Sequence, residues 1–335
     1  MKFTKLRSAF IVAVSAMTLV ATQGLPATAA TAPKTTTTTP KISNSLKISP
    51  LRTDVTIKPG ESGIVKVQVT NLTGAPVILQ AIENDFVAGD EKGTPSIILD
   101  ENSYAPSHSL KRFMVPTPNI TVQANATQEA DVKIVVPKTA QAGGYFGALR
   151  FAPAGTAGQP VDVSSSIVSL MLLTVPGPTV EQLTLTNFDI QQNGGTASNF
   201  RTPKDLTLLL RFQNKGNLQE GPFGQINVQK GKKVVYSADF NQADPRDQIL
   251  PDSSRRWTLP LKNLGKFGKY TVSGTFGYGT KGQTINIEKT VWIVPSTYIV
   301  GGIVALVILI AAIAGTWLFL RSYKRRILRS SRRRY

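Results

Sequence analysis

The chain has 335 residues, 41% of them apolar, with no cysteine, a single histidine and a formal charge of +18. That apolar share belongs to a folded protein, and the length leaves room for two or three domains. The lack of cysteine excludes disulfides, thiol catalysis and cysteine-ligated metals. The charge is unevenly placed. Lys2, Lys5 and Arg7 lie in the first eight residues, and Arg321, Lys324, Arg325, Arg326, Arg329, Arg332, Arg333 and Arg334 in the last fifteen, with no acid in either segment. The +7 left between them is too dilute for a stripe that tracks nucleic acid, so no nucleic-acid partner is expected.

Residues 1–30 read as a signal peptide. A basic start precedes an apolar run over 9–21, and small residues follow around Ala27-Thr28-Ala29-Ala30. Residues 31–45 form a Thr/Pro-rich linker with five consecutive threonines at 35–39, a composition that cannot build a core.

From Leu46 to Val294 the pattern is β. Val65, Val67 and Val69 alternate with Lys66, Gln68 and Thr70; Leu206, Leu208, Leu210 and Phe212 repeat the pattern, as do Ile285 and Ile287. Pro59-Gly60, Gly143-Gly144, Gly194-Gly195 and Asn214-Lys215-Gly216-Asn217 punctuate the runs, the last as a turn requiring positive φ. Residues 167–175 are nearly continuously apolar, which suits a strand buried on both faces and paired with 145–151. Residues 274–282 place Phe276 and Tyr278 between glycines, a hairpin pattern. A break at Pro176-Gly177-Pro178 divides the region. The expected fold class is therefore all-β: two Ig-like β-sandwich domains in tandem, over 46–178 and 179–295.

Residues 296–320 are predicted to be a transmembrane helix. Positions 299–320 carry no charge and would span about 33 Å as an α-helix, enough to cross the hydrocarbon core. The lipid bilayer is thus a partner through 299–320. The cations of 321–335 follow at once and make a basic cytoplasmic tail, so the expected placement is single-pass in the cell membrane with the sandwiches outside. Val294-Pro295-Ser296-Thr297-Tyr298 has part of the layout of a sortase signal, but Val and Tyr stand at its Leu and Gly positions, and a retained helix is the expectation.

The sequence offers no catalytic, cofactor-binding or metal-ligating constellation, and no enzyme is expected. His108 lies in a polar segment and reads as a loop histidine, since a triad also needs a nucleophile and an orienting acid. Asn84-Asp85, Asp90-Glu91, Asp244 and Asp247 offer oxygen ligands for Ca²⁺ but lack the calcium-loop spacing, and read as solvated loop carboxylates. Trp257-Thr258-Leu259 reads as a strand with its tryptophan in the core.

Several pieces of the first domain resemble the DUF916-type domain of the WxL-interacting proteins, a family of Gram-positive surface proteins. These are Ile48-Ser49-Pro50-Leu51, Ile57-Lys58-Pro59-Gly60, and Ile134-Val135-Val136-Pro137 leading to Gly143-Gly144-Tyr145-Phe146-Gly147. Asn214-Lys215-Gly216-Asn217, continuing through Pro222-Phe223-Gly224, looks like a bacterial Ig-like repeat. The resemblance implies peptidoglycan binding by the first domain and a protein partner for the second. The leading expectation is a membrane-anchored surface binding or scaffold protein that engages peptidoglycan or another anionic wall polymer, a WxL-domain or other surface protein, or both. The alternative is a docking subunit for a secreted partner without wall binding, and an envelope hydrolase ranks behind both.

Overall fold

The computed structural model describes residues 45–154 and 166–331. The expected signal peptide and nearly all of the 31–45 linker lie outside the described residues. The described residues fall within one compact unit.

The architecture is all-β up to a C-terminal helix. In chain order the first sandwich has β1 (Leu46–Ser49), β2 (Arg52–Thr56), β3 (Ser62–Asn71), β4 (Val77–Ala88), β5 (Pro95–Ile97), β6 (Ile120–Val122), β7 (Thr127–Val135), β8 (Gly143–Pro153) and β9 (Ile167–Val175). One sheet runs β1-β3-β7; the other runs β2-β9-β8-β4-β5, with β6 also on β4. The second sandwich has β10 (Leu183–Gln192), β11 (Gly195–Thr196), β12 (Asn199–Phe200), β13 (Leu206–Asn214), β14 (Phe223–Lys230), β15 (Lys233–Phe240), β16 (Ser254–Pro260), β17 (Gly268–Tyr278) and β18 (Gln283–Ile293). Its sheets run β11-β10-β13-β16 and β12-β18-β17-β14-β15.

The two sandwiches repeat one plan. Each begins in one sheet (β1, β10) and then sends a short strand (β2, β12) to lie parallel to the last strand of the other sheet (β9, β18). The period-2 residues face inward as expected. Val65, Val67 and Val69 are buried in the first core, and Leu206, Leu208, Leu210 and Phe212 in the second. The hairpin expected at 274–282 is the β17–β18 turn, with Gly279 and Gly282 at positive φ.

The apolar run of β9 pairs with β8, Phe151 opposite Ile167, as its sequence predicts. Its two faces do different jobs. Met171, Leu173 and Val175 join the first core, with Leu149 and Phe151. Leu172 faces the other way and packs with Phe86, Phe146 and Ala148, against Leu250 of the second sandwich.

Each sandwich carries the same buried asparagine at the end of the long strand that follows its crossing strand, β3 and β13. Asn71 Oδ1 accepts the Thr73 N–H (2.9 Å), and its Nδ2 donates to the carbonyls of Ala75 (2.8 Å) and Val122 (3.2 Å). Asn214 Oδ1 accepts the Gly216 N–H (2.9 Å), and its Nδ2 donates to the carbonyls of Leu218 (2.7 Å) and Ile249 (3.0 Å). This corrects the positive-φ turn expected at 214–217, because no residue there has positive φ. Gly216 is required by close approach: a Cβ on it would lie 2.2 Å from the Val180 carbonyl oxygen.

Helix α1 (Ser296–Ser331) begins three residues after β18 ends and runs on past 320, into the segment read as a basic tail. Its stretch Ser296–Lys324 is long and apolar enough to cross a membrane, and none of that apolar stretch is buried against the sandwiches.

Removing the Asn214 amide strands the Gly216 N–H and the Leu218 carbonyl inside the loop. Asn214→Ala should therefore cost roughly 2–3 kcal/mol, and Asn71→Ala a similar amount. Denaturant unfolding of the full-length protein in detergent micelles reads both as lowered midpoints.

Candidate functional site

The described structure brings three features together: a stitched junction between the sandwiches, a polar cleft beside it, and an uncovered strand edge leading away from the cleft.

The junction is held by polar contacts at both ends of the apolar patch around Leu250. At one end, Asn217 Oδ1 accepts the Val180 N–H (2.8 Å), its Nδ2 donates to the Ala142 carbonyl (2.9 Å), and its own carbonyl accepts the Gly144 N–H (2.8 Å). At the other end stands the β4–β5 turn. Asp90 shapes it by accepting the N–H groups of Lys92 (2.8 Å) and Thr94 (3.0 Å). The turn presents Glu91 to the second sandwich. The Glu91 carboxylate accepts Arg211 Nε (2.9 Å) and Nη2 (2.7 Å), and its backbone carbonyl takes the Arg256 N–H (2.6 Å). The Arg211 guanidinium holds the Glu91 carboxyl below its ordinary pKa. Gly93 adopts φ 90°, which favours glycine, and the Arg255 guanidinium packs directly against it.

Beside the junction lies a cleft of about 620 Å³, lined by Arg52 and Asp54 from β2, Glu181 from the inter-sandwich linker, Glu220, Asp244, Arg246 and Gln248 from loops, and Tyr278–Thr280 from the β17–β18 turn. Arg52 is engaged. Its Nε donates to Asp54 Oδ1 (2.9 Å) and its Nη1 to the Arg246 carbonyl (2.8 Å). The Arg246 guanidinium lies 4.0 Å from the Phe223 ring centroid. Two carboxylates converge on Gly279. Glu220 Oε2 accepts its N–H (3.1 Å), and Glu181 Oε2 lies 2.7 Å from where a Cβ would stand.

The two carboxylates behave differently. Glu220 is only 3% exposed. Burial, and then the charge of Glu181, push its pKa up to about 7, against the weaker pull of the Gly279 N–H. Burial also works against the charge of Glu181, but the Thr280 hydroxyl and N–H, with the field of Lys281, outweigh it and hold that pKa below the usual carboxylate value. Nothing periodic in the sequence marks these residues, because both sit in connections whose neighbours are set by the packing of the sandwiches.

The third feature is the outer edge of β18. In the first sandwich, β2 covers β9 from Leu170 to Thr174. In the second, β12 covers only Trp292 and Ile293. Among the described residues no backbone hydrogen bond reaches the outer side of β18 over residues 283–291. The strand pairs with β17 without a bulge, so this edge is straight, and Ile287 is partly exposed on it. The far edge of the same sheet is different: β15 opens on Lys233 and its register against β14 is bulged. Bulges and lysines are how sheets blunt an edge, and β18 keeps one such device, the inward-pointing Lys289 paired with Asp189 of β10.

The residues singled out from the sequence have structural roles. His108 adopts φ 57°, and its Nδ1 lies 2.6 Å from the Gly144 carbonyl oxygen, so it closes the turn that meets β8. Asn84 and Asp85 are not solvated loop carboxylates: both are fully buried in β4. Asp85 accepts the N–H groups of Ala105 (2.8 Å) and Lys111 (2.9 Å), and Asn84 donates to the Ile98 carbonyl (2.8 Å), so the pair pins the 98–111 loop. Asp247 pairs with Arg255 (2.8 Å). No group of three or more metal-ligating side chains gathers among the described residues. Trp257 packs edge-on against Phe240 (centroids 5.2 Å) and Phe212 (5.9 Å) in the second core.

No protein-family model and no curated protein sequence matches the chain. Solved structures similar to it include the class 5 fimbriae chaperone CfaA, at 12% identity and TM-score 0.37, covering 73% of this chain and 98% of that one. The E. coli chaperone DraB is similar at 15% identity and TM-score 0.32, with coverage of 75% and 96%. The CsuC-CsuE chaperone-tip adhesion subunit pre-assembly complex of Acinetobacter baumannii is similar at 11% identity and TM-score 0.34, with coverage of 72% and 97%.

The raised pKa of Glu220 has a consequence for stability. A carboxyl that titrates higher in the folded than in the unfolded chain stabilises most below its unfolded pKa, and that contribution is lost as pH rises through about 7. Stability should fall by roughly 2 kcal/mol between about pH 4.5 and 7.5, allowing for solvent at the cleft mouth. Arg52, Asp54, Asp244 and Arg246 line the same cleft, and Lys281 acts on Glu181. Glu220→Gln should flatten the dependence in unfolding midpoints taken at half-unit pH steps.

Proposed function

We propose that the chain is a membrane-anchored docking subunit of the cell surface that holds a protein partner by strand addition at β18. The observation that carries the proposal is the straight backbone edge left open over residues 283–291, where the equivalent strand of the first sandwich is covered. An unpaired row of N–H and C=O groups is a template for an extended segment of another protein: main-chain hydrogen bonds supply affinity and alternate side chains supply selectivity. Helix α1 starts just past β18, so it keeps the docking strand near the membrane surface. In this reading the sandwiches lie outside the cell, and the cations after 320 face the cytoplasm.

Docking stands ahead of wall-polymer binding on charge. An anionic polymer would meet, in the larger cleft, four carboxylates against two guanidiniums, both of them already engaged. WxL-domain proteins are candidate partners through the resemblance of the first domain alone.

Two measurements test the proposal. A photoreactive residue at Glu288, on the exposed face of β18, should cross-link to one envelope protein in living cells. Lysines at Thr284 and Asn286 should cut that product at least tenfold, because they blunt the edge without touching the core. A cross-link indifferent to those lysines would remove the strand-addition mechanism. The chain lacks cysteine, so topology can be read cleanly. An impermeant maleimide should label Ser237→Cys in intact cells and Ser330→Cys only after lysis.

A further inference from the structure

We propose that the cleft between the sandwiches is a socket for a cationic side chain, a guanidinium in first place, carried by the partner that pairs with β18. The inference rests on the docking reading for the source of that side chain, and on the cleft alone for its chemistry.

Eight buried side-chain polar atoms among the described residues have no hydrogen-bond partner. Four of them belong to residues lining this one cleft: Glu181 Oε2, Gln219 Oε1, Glu220 Oε1 and Gln248 Oε1. All four are carboxylate or amide oxygens, which accept; only the Glu220 carboxyl can also donate, and only when protonated. The other four are three hydroxyls and Arg255 Nε, and the hydroxyls can donate. A buried carboxylate is costly unless a positive charge or several donors meet it, and nine-tenths-buried Glu220 has one backbone N–H. Its pKa near 7 reports the same deficit. The two guanidiniums that line the cleft are committed, Arg52 to Asp54 and the Arg246 carbonyl and Arg246 to the face of Phe223, while Lys281 acts on Glu181 rather than Glu220. What the cleft lacks is a cation rich in donors.

Size and ligand number choose between a metal and a side chain. A hard divalent cation collects six or more oxygens around one point, yet no three acidic or histidine side chains gather here. The cleft, at about 620 Å³, has room for a long side chain and the backbone that carries it, and Tyr278 adds an aromatic wall. A guanidinium brings five donors in a planar fork and tolerates an aromatic neighbour. The position also fits. The turn after Tyr278 carries Gly279 and Thr280 into the cleft, and three residues on begins Gln283, the first residue of the open edge. A segment paired along β18 therefore runs up to the cleft, where a basic residue at its end meets Glu181 and Glu220.

The test uses the full-length protein in lipid nanodiscs at pH 7.5, titrated calorimetrically with L-argininamide. Citrullinamide, with a neutral urea group in place of the guanidinium, and CaCl₂ are the comparison probes. Argininamide should bind with a Kd in the millimolar range, citrullinamide at least tenfold more weakly, and Glu220→Gln and Glu181→Gln should each weaken argininamide at least tenfold. Bound argininamide should also lower the pKa of Glu220, read by carbon NMR of labelled glutamate, a change that a purely structural carboxylate would not show. Equal binding of argininamide and citrullinamide, calcium binding in place of argininamide, or indifference to both glutamine variants would each overturn the proposal. The Thr284→Lys/Asn286→Lys variant separates the two readings. If the socket is right it keeps argininamide binding, whether or not it loses the envelope cross-link.

Discussion

The structure turns on one sheet that is apolar on both faces. Strands β8 and β9 supply Leu149, Phe151, Met171 and Leu173 to the first core, and Phe146, Ala148 and Leu172 to the opposite side. A sheet with two apolar faces cannot leave one in water without exposing a patch of the kind that drives association. The second sandwich covers it through Leu250, and the polar stitches at Asn217 and Glu91 fix where it sits. Apolar area supplies the attraction here, and the directional bonds supply the register.

That arrangement explains why the junction is built from loops rather than strands. The linker Thr179–Gln182, the turn at 88–95 and the 241–253 segment all meet there, and each is shaped by a short-range device. Asp90 folds the turn on itself, Asn241 holds its loop through the Asp247 N–H (3.0 Å), and Asn214 holds the connection next to Asn217. Because loops converge, their carboxylates converge as well. Glu181 and Glu220 reach the same glycine; burial, and then the charge of Glu181, lift the Glu220 pKa, and acceptors are left unpaired.

Repetition with one change creates the second feature. Both sandwiches send a strand across to lie beside their last strand, but β2 has five residues on β9 and β12 has two on β18. The connection from β10 to β13 is as long as that from β1 to β3, but part of it turns back on β10 as β11, and only Asn199–Phe200 lies beside β18. The open edge follows from where the crossing falls.

The sequence alone determined whatever depends on period and composition. The alternation of Val65, Val67 and Val69, and of Leu206 through Phe212, sets which face is buried, because side chains on a strand alternate whatever the rest of the fold does. The apolar run of β9 announced two buried faces, and the uncharged stretch 299–320 announced a helix able to cross a membrane. Only the tertiary structure decided what lay on the second face of β9, why Gly216 is glycine, and that Asn84 and Asp85 are buried braces rather than solvated carboxylates. It also decided that Glu181 and Glu220, 39 positions apart, share a cleft and that β18 keeps a bare edge. Those outcomes rest on contacts between distant segments, and no local pattern in a chain encodes which loops will meet once two sandwiches pack.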